Sequence, residues 1–331
     1  MSRFGYVQAD SLEDAVGFLQ AYREETALLA GGTDILLRMK SRLDRPKYLL
    51  NLKDVFGLRG IKRNESGIEI GSLTTISDIL DSPLVAGAYG LLKDTCKEIA
   101  SPQIRNVGTV GGNLCQQVWC PYYRNGFLCW LNGGKICPAV LRGGDNRWYQ
   151  SIFGGDRCLA AHPSDLAIAL LALDADVEVC GPGGSRTLKV DQLLPGVKRE
   201  EGRIRFVSIR GDEILSKITI GLKPDRFRYK YAKFRLRRSW DFAIVGIAVA
   251  GTMENGVCSN IRIALGGVAT KPYRCIEAEK ILECQPPESD RIEAAAQAAF
   301  AKARPFSQNQ FKVDIGRALV RRALSALRLD A

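Results

Sequence analysis

Histidine is almost missing from this sequence, which holds one in 331 residues, His162 in "HPSD". That setting reads as a turn that positions Asp165 rather than as a base or a metal ligand. Long apolar runs are missing too. The longest, "LAIALLALDADV" from Leu166, is broken by aspartates well short of the roughly 20 residues that a membrane span needs, so no membrane partner is expected. The first residues, "MSRFGYVQADSLEDA", carry no apolar stretch behind Arg3. A secretory signal is therefore not expected, and the expectation is a cytoplasmic protein with reduced thiols. No internal repeat is visible. The tight CxxC pairs of zinc ribbons are absent, although the chain has ten cysteines.

What is present begins with an ordinary globular balance, 46% hydrophobic and 25% charged residues. The length exceeds what one compact core accommodates and suggests two or three domains. Net charge is +11, from 47 Lys and Arg against 36 Asp and Glu. The excess sits in "KPDRFRYKYAKFRLRRSW" (223–240) and in "RALVRRALSALR" near the end. A basic surface can attract nucleic acid, but these segments are strand- or helix-patterned and carry no nucleic-acid motif. A solvated face or a docking surface for an acidic partner is the better reading, and no nucleic acid is expected.

The first fifty residues read as a small α/β unit. "SLEDAVGFLQAYRE" has helical apolar spacing with Ser11 as cap, "TALLAGG" is a short buried strand, "TDILLRMKSR" is a helix opened by Thr33 and Asp34, and "KYLLNL" is a strand. "GIEIGSLTTISDIL" reads as strand, turn and a helix capped near Thr75 or Ser77. "HPSDLAIALLALDADVEVCG" is a helix followed by a strand. A last unit from about Gly221 has strand-like segments and two closing helices, "RIEAAAQAAFAKA" and "DIGRALVRRALSALRL". Between them, 115–158 has glycine pairs, little periodicity and half of the cysteines. A loop of that length inside a domain is usually functional.

Two glycine-rich turns invite an anion. "LLAGGTDILL" puts Gly31 and Gly32 between a strand and a helix, and "NVGTVGGNL" carries Gly108, Gly111 and Gly112 with Thr109 and Asn113 as side-chain donors. Such turns aim successive N–H groups into one concavity at a helix start. A plain capped βα turn is the alternative for the first. Neither turn is GxGxxG or GxxxxGK[ST], so the Rossmann and Walker signatures are missing. Two such turns in separate units suggest a dinucleotide.

"AGGTDILLRMK", "IASPQIRNVGTVGGNL", "HPSDLAIALLALDADV" and "YAKFRLRRSWDFAIVGIAVA" together resemble the FAD-binding medium subunit of the molybdenum hydroxylases, the xanthine dehydrogenase and carbon monoxide dehydrogenase group. The resemblance covers nearly the whole chain, in order. It implies an α+β fold: a two-part, PCMH-like FAD-binding domain, with subdomains at 1–57 and 58–217, then a smaller α/β C-terminal domain at 218–331. By position, Leu28, Leu29, Ala30, Gly31, Gly32, Thr33, Asp34 and Ile35 correspond to a first FAD loop. Thr109, Val110, Gly111, Gly112 and Asn113 correspond to a second, with both loops holding the pyrophosphate through backbone N–H groups. Gln103 and Ile104 correspond to positions beside the flavin, and Asp165 to an acidic residue that hydrogen-bonds the cofactor. Ile214 and Lys233 correspond to an apolar contact and a cation near the isoalloxazine. A solvated strand residue is the other reading of Lys233. One departure is "DQLLPGVKREE" (191–201), which lacks an aromatic that many relatives carry before a Gly-Tyr pair.

The insertion 115–159 resembles that of a subgroup including the β subunit of 4-hydroxybenzoyl-CoA reductase and the flavin subunit of a bacterial aldehyde oxidoreductase. The shared landmarks are "CPYY", "GGKIC" and "DRCLA". The resemblance implies a 4Fe-4S cluster on Cys120, Cys129, Cys137 and Cys158, whose intervals are eight, seven and twenty residues. Cubanes take four converging thiolates. Zinc at the same thiols, on a scaffold without redox function, is the alternative. Cys115 reads as part of the flavin loop, and the other cysteines as small packed hydrophobes. The implied complex has a large molybdenum-cofactor subunit and a small 2Fe-2S subunit, as a heterotrimer or a dimer of heterotrimers. Ferredoxin or NAD would be the external electron partner. Electrons would flow out after oxidation of an aldehyde, purine or aromatic substrate, or flow in from ferredoxin for reductive dehydroxylation.

Overall fold

The computed structural model describes residues 1–200 and 203–329, and among these no helix is long and apolar enough to cross a membrane. Glu201, the last residue of the "DQLLPGVKREE" stretch, lies outside the described residues. The chain divides into two units built from interleaved stretches. The first holds Met1–Leu84, Ser101–Gln117 and Asp174–Leu222; the second holds Val85–Ala100, Val118–Leu173 and the chain from Lys223 onward. The sequence reading drew consecutive blocks. In the structure the cysteine insertion groups with the C-terminal strands and helices.

In the first unit, strands Gly5–Gln8, Tyr48–Asn51 and Thr26–Leu29 form a parallel sheet with Tyr48–Asn51 in the centre. Helix Leu12–Tyr22 buries Ala15, Val16 and Leu19, and its cap Ser11 accepts a hydrogen bond from the Asp14 N–H at 3.0 Å. An antiparallel five-stranded sheet runs in the order Ile61–Asn64, Gly67–Gly71, Ile214–Gly221, Asp176–Gly181, Gly184–Lys189. Thr75 and Asp78 form a reciprocal capping box at helix Ile76–Asp81.

The second unit is built on antiparallel strands Phe227–Phe234, Val245–Glu254, Val257–Gly266 and Tyr273–Arg274. Val245, Ile247, Val249, Ile263 and Leu265 belong to a core cluster with Ala295, Ala296, Val320 and Leu324 of the closing helices Ser289–Phe300 and Phe311–Leu329. A third closing helix, Ile276–Leu282, was not expected; it has only seven residues and no side-chain cap to mark its start. Helix Asp165–Ala172 is buried at every residue, so it reads as apolar all round. Ile168 lies close to the positions that a Cβ would take at Gly246 and Gly266, 3.4 Å and 3.3 Å away. The bare backbone there lets the helix lie against the strands.

Ile168 is 1% exposed. Ile168→Ala should therefore cost about 2–5 kcal/mol, the usual range for emptying such a site. Urea unfolding of the two proteins measures it, and a loss below about 1 kcal/mol would mean that the helix does not pack as described.

Candidate functional site

The two glycine turns lie against each other within the first unit. A Cβ on Gly31 would stand 2.1 Å from the Val107 carbonyl oxygen and 3.0 Å from the Gly108 Cα. Only glycine permits that approach. Gly32 adds a φ of 79°, in the left-handed region. Among the described residues, the backbone N–H groups of Gly31, Gly32 and Thr33 meet no acceptor. They stand just before Asp34, the cap position of helix Ile35–Lys40. Asp34 occupies the cap position of that helix but makes no side-chain cap. Its carboxylate instead accepts from the Gln117 N–H at 3.1 Å and pairs with Arg38 at 3.2 Å.

The second loop differs from what was expected of it. Val110 donates to Thr74 O at 2.9 Å, Gly111 to Ser72 O at 2.8 Å and Asn113 to Thr109 O at 2.8 Å. The Gly112 N–H goes to Thr109 Oγ1 at 3.1 Å. These four amides, of Val110 to Asn113, are engaged inside the chain. The loop's contribution is the close backbone approach, with the Thr109 and Asn113 side chains at its rim. Gln103 is exposed on the short helix Pro102–Arg105, and Ile104 is half-buried there. Ile214, expected as an apolar flavin contact, is a core residue instead. It is 1% exposed and packs in one cluster with Leu58 and Leu73, where the strand's inward face places it.

In the second unit, Asp165 and Lys233 form a buried ion pair with a 2.7 Å contact, at 6% and 1% side-chain exposure. Lys233 is thus not a solvated strand residue. Its Nζ also donates to Glu98 O at 3.1 Å. Asp165 is held at the start of its helix by the preceding turn. His162 Nδ1 accepts from the Ser164 N–H at 3.3 Å, and Ser164 Oγ caps the Ala167 N–H at 3.0 Å. Burial lowers the His162 pKa to about 4, so the ring is a neutral acceptor. The buried Tyr231 hydroxyl faces the Asp165 charge, and burial first, then that charge, hold the phenol neutral.

Cys120, Cys129, Cys137 and Cys158 line one cavity, with Tyr122, Tyr123, Trp130 and Arg157 among the other walls. Its empty volume is about 260 Å³, counted to its open mouth. Three of the four cysteines precede a short helical turn, at Pro121–Arg124, Trp130–Asn132 and Pro138–Val140. Proline at the first position of two of these turns removes an N–H that would lack a partner anyway. The next amides turn back to sulfur: Tyr122 and Tyr123 to Cys120, and Ala139 to Cys137. Leu159 donates to Cys137 as well, and Ala160 to Cys158. Burial outweighs these donors in the free thiols, pushing Cys120 up to about 11 and Cys158 to about 12. A bound metal reverses that balance by taking the thiolates directly. The repeated "CP" was the sequence signal for these caps. Gln150, whose Nε2 lies 3.6 Å from Cys120 Sγ, had none. Cys115 ends helix Val110–Cys115 and does not line the cavity. Cys96, Cys180, Cys258 and Cys275 are buried, but Cys284 is exposed, contrary to a packing role.

Comparison with known proteins places these features. Residues 2–222 match the family described as the FAD binding domain in molybdopterin dehydrogenase. Residues 227–327 match the CO dehydrogenase flavoprotein C-terminal domain. The chain belongs to the FAD-binding medium subunits of the molybdenum hydroxylase family. It is a subunit of that family's oxidoreductases, with a two-part FAD-binding domain and a C-terminal domain of mixed helix and sheet. It is 31% identical to the aldehyde oxidoreductase FAD-binding subunit PaoB of Escherichia coli, covering 100% of both chains. It is 27% identical to the carbon monoxide dehydrogenase medium chain of Afipia carboxidovorans, over 99% of this chain and 98% of the other. Among solved structures, reconstituted CO dehydrogenase from Oligotropha carboxidovorans aligns with a TM-score of 0.79 at 26% identity, over 100% of this chain and 99% of that one.

The open donors of Gly31–Thr33 suit the diphosphate of the FAD that this family binds. Gly31→Ala should force the two loops apart and leave the purified protein with less than about a tenth of its flavin, while far-UV circular dichroism stays unchanged. Flavin absorbance at wild-type level would show that the loops tolerate the added carbon. Lys233→Met should strand the Asp165 carboxylate and cost about 3–5 kcal/mol in urea unfolding. The double change with Asp165→Asn should recover most of that loss; no recovery would mean that Lys233 stabilises through other contacts.

Proposed function

We propose that this subunit carries both FAD and a 4Fe-4S cluster and passes electrons between partner subunits and an external carrier. The partners are a large molybdenum-cofactor subunit and a small 2Fe-2S subunit, and the carrier is ferredoxin or NAD. The 31% identity to an aldehyde oxidoreductase FAD-binding subunit supports aldehydes as the substrate class oxidised on the large partner. The observation that carries the cluster is the cavity itself: four cysteines spread over 120–158 line one opening. When bound, FAD supplies two- and one-electron chemistry and the cluster one-electron chemistry.

The chain's own residues then have defined tasks. The amides of Gly31, Gly32 and Thr33 hold the FAD diphosphate, with Leu28–Ala30 and Asp34–Ile35 fixing the turn. Gln103 and Ile104 stand beside the flavin, and Thr109–Asn113 supply the second wall of the diphosphate site. Asp165 accepts a hydrogen bond from the cofactor while Lys233 holds its carboxylate in place. That pairing neutralises Lys233, so its charge acts on the flavin jointly with Asp165. Cys120, Cys129, Cys137 and Cys158 are the cluster ligands. The amides of Tyr122, Tyr123, Ala139 and Ala160 face their sulfurs, as thiolates need.

Zinc at the same thiols is the competing reading. It draws four ligands to about 2.3 Å from one ion. A cubane spaces its thiolates around a larger core. Cys129→Ser should lower iron by about four atoms per chain and remove the broad visible absorption while flavin remains. Unchanged iron would exclude this ligand set, and stoichiometric zinc without iron in the wild type would establish the scaffold instead.

A further inference from the structure

We propose that Gln150 is a positioning residue that sets the reduction potential of the cluster through a hydrogen bond from its side-chain amide to Cys120 Sγ. The inference rests on the cluster reading above. Gln150 is 2% exposed, and its Nε2 lies 3.6 Å from Cys120 Sγ. It is a side-chain donor to a cavity sulfur, whereas Tyr122, Tyr123, Ala139, Leu159 and Ala160 donate through backbone amides. A side chain can be exchanged without altering the main-chain turns, which makes this donor an adjustable one.

The amide is held from behind. Gln150 and Ala160 form an antiparallel bridge, so the strand-like pair also fixes the residue two places after Cys158. The Gln150 carbonyl accepts from Lys312 Nζ at 2.9 Å and from Asn309 Nδ2 at 3.4 Å. Lys312 is fully buried, and its other two donors go to Trp148 O at 2.9 Å and Gly267 O at 2.8 Å. Three carbonyls lie within hydrogen-bond distance of Nζ, as many as an ammonium has N–H groups. Helix Phe311–Leu329 thereby clamps the backbone at 148 and 150, and the clamp leaves the Gln150 side chain little freedom.

The chemistry follows from charge. Sulfur on a reduced cluster carries more negative charge than on an oxidised one. An N–H donor therefore stabilises the reduced state more and raises the potential. A glutamate at 150 would present an anion to the same sulfur and act in the opposite sense.

The test is a redox titration of the holoprotein, followed by electron paramagnetic resonance of the reduced 4Fe-4S signal. Gln150→Leu should retain full iron and flavin but show about a tenfold lower reduced-to-oxidised ratio at a fixed ambient potential. For a one-electron couple that equals about 59 mV more negative. Gln150→Glu should shift further in the same direction. Should the leucine variant not fold, Gln150→Met removes the same donor with a more pliable side chain. In deuterated buffer, the wild type should show an exchangeable deuteron coupled to the cluster that disappears in the variant. An unchanged potential with full iron overturns the inference and leaves the cluster standing. Loss of iron in both apolar variants also overturns it, because Gln150 would then hold the cluster rather than tune it. A wild-type protein without iron overturns the cluster reading itself.

Discussion

The first few backbone amides of a short helix have no partner within that helix, and where they go determines what each loop can hold. The two glycine loops differ in this respect a few ångströms apart. Gly31–Thr33 stand before the cap residue Asp34, and their N–H groups meet no acceptor among the described residues. The first amides of helix Val110–Cys115 are engaged by Ser72, Thr74 and Thr109. The second loop is therefore a rigid wall, locked to the turn after strand Gly67–Gly71, against which the first loop keeps its shape. The cysteine insertion shows a third outcome. Its turns after Cys120 and Cys137 direct their early amides to sulfur. One constraint, satisfied in three ways, separates the first glycine loop, its support and the thiol cavity.

Buried charge follows a parallel logic. Asp165 and Lys233 neutralise each other, and the cost of burying them is offset only while both remain. Lys312 is also buried and is held by three carbonyl dipoles. Burial lowers its pKa to about 7, because the interior disfavours the charged form. Its contacts staple the closing helix to the insertion, in keeping with the grouping of 118–173 with the C-terminal strands.

Much of this was legible in the sequence. Ser11 caps as read, and of the two residues offered for the later helix, Thr75 and Ser77, it is Thr75 that caps. The glycine turns were legible because Gly31 and Gly32 serve the backbone itself. The four cavity cysteines stand out through their landmarks. What was hidden depends on contacts between distant segments. Nothing local in "VGTVGGNL" reveals that its amides are already bound, since the acceptors at 72 and 74 are far back in the chain. Ile214 looks the same in sequence whether it meets a flavin or Leu73. Gln150 is one polar residue in an irregular stretch, and its meaning comes from Cys120 thirty residues away and Lys312 beyond the last sheet.

The irregularity of the insertion is itself informative. A strand would turn alternate side chains to opposite faces, and a long helix would present them at intervals of three or four residues. Neither brings positions 120, 129, 137 and 158 to one cavity. Short turns can, if each is closed locally. Gly134 shows how tightly: a Cβ there would stand 2.4 Å from Leu128 O, so the chain folds back on itself just after Cys129. Such a segment has few ladder hydrogen bonds of its own and a small apolar cluster around Cys137, Ala139 and Leu159. Its order must come from attachment elsewhere. The Asn146 side chain meets Ala139 O, the Gln308 side chain meets the Asn146 N–H, and Lys312 takes Trp148 O and Gln150 O. The closing helix and the turn before it thus act as a frame for the cysteine loop, and the placement of its sulfurs is set from outside the loop as much as from within it.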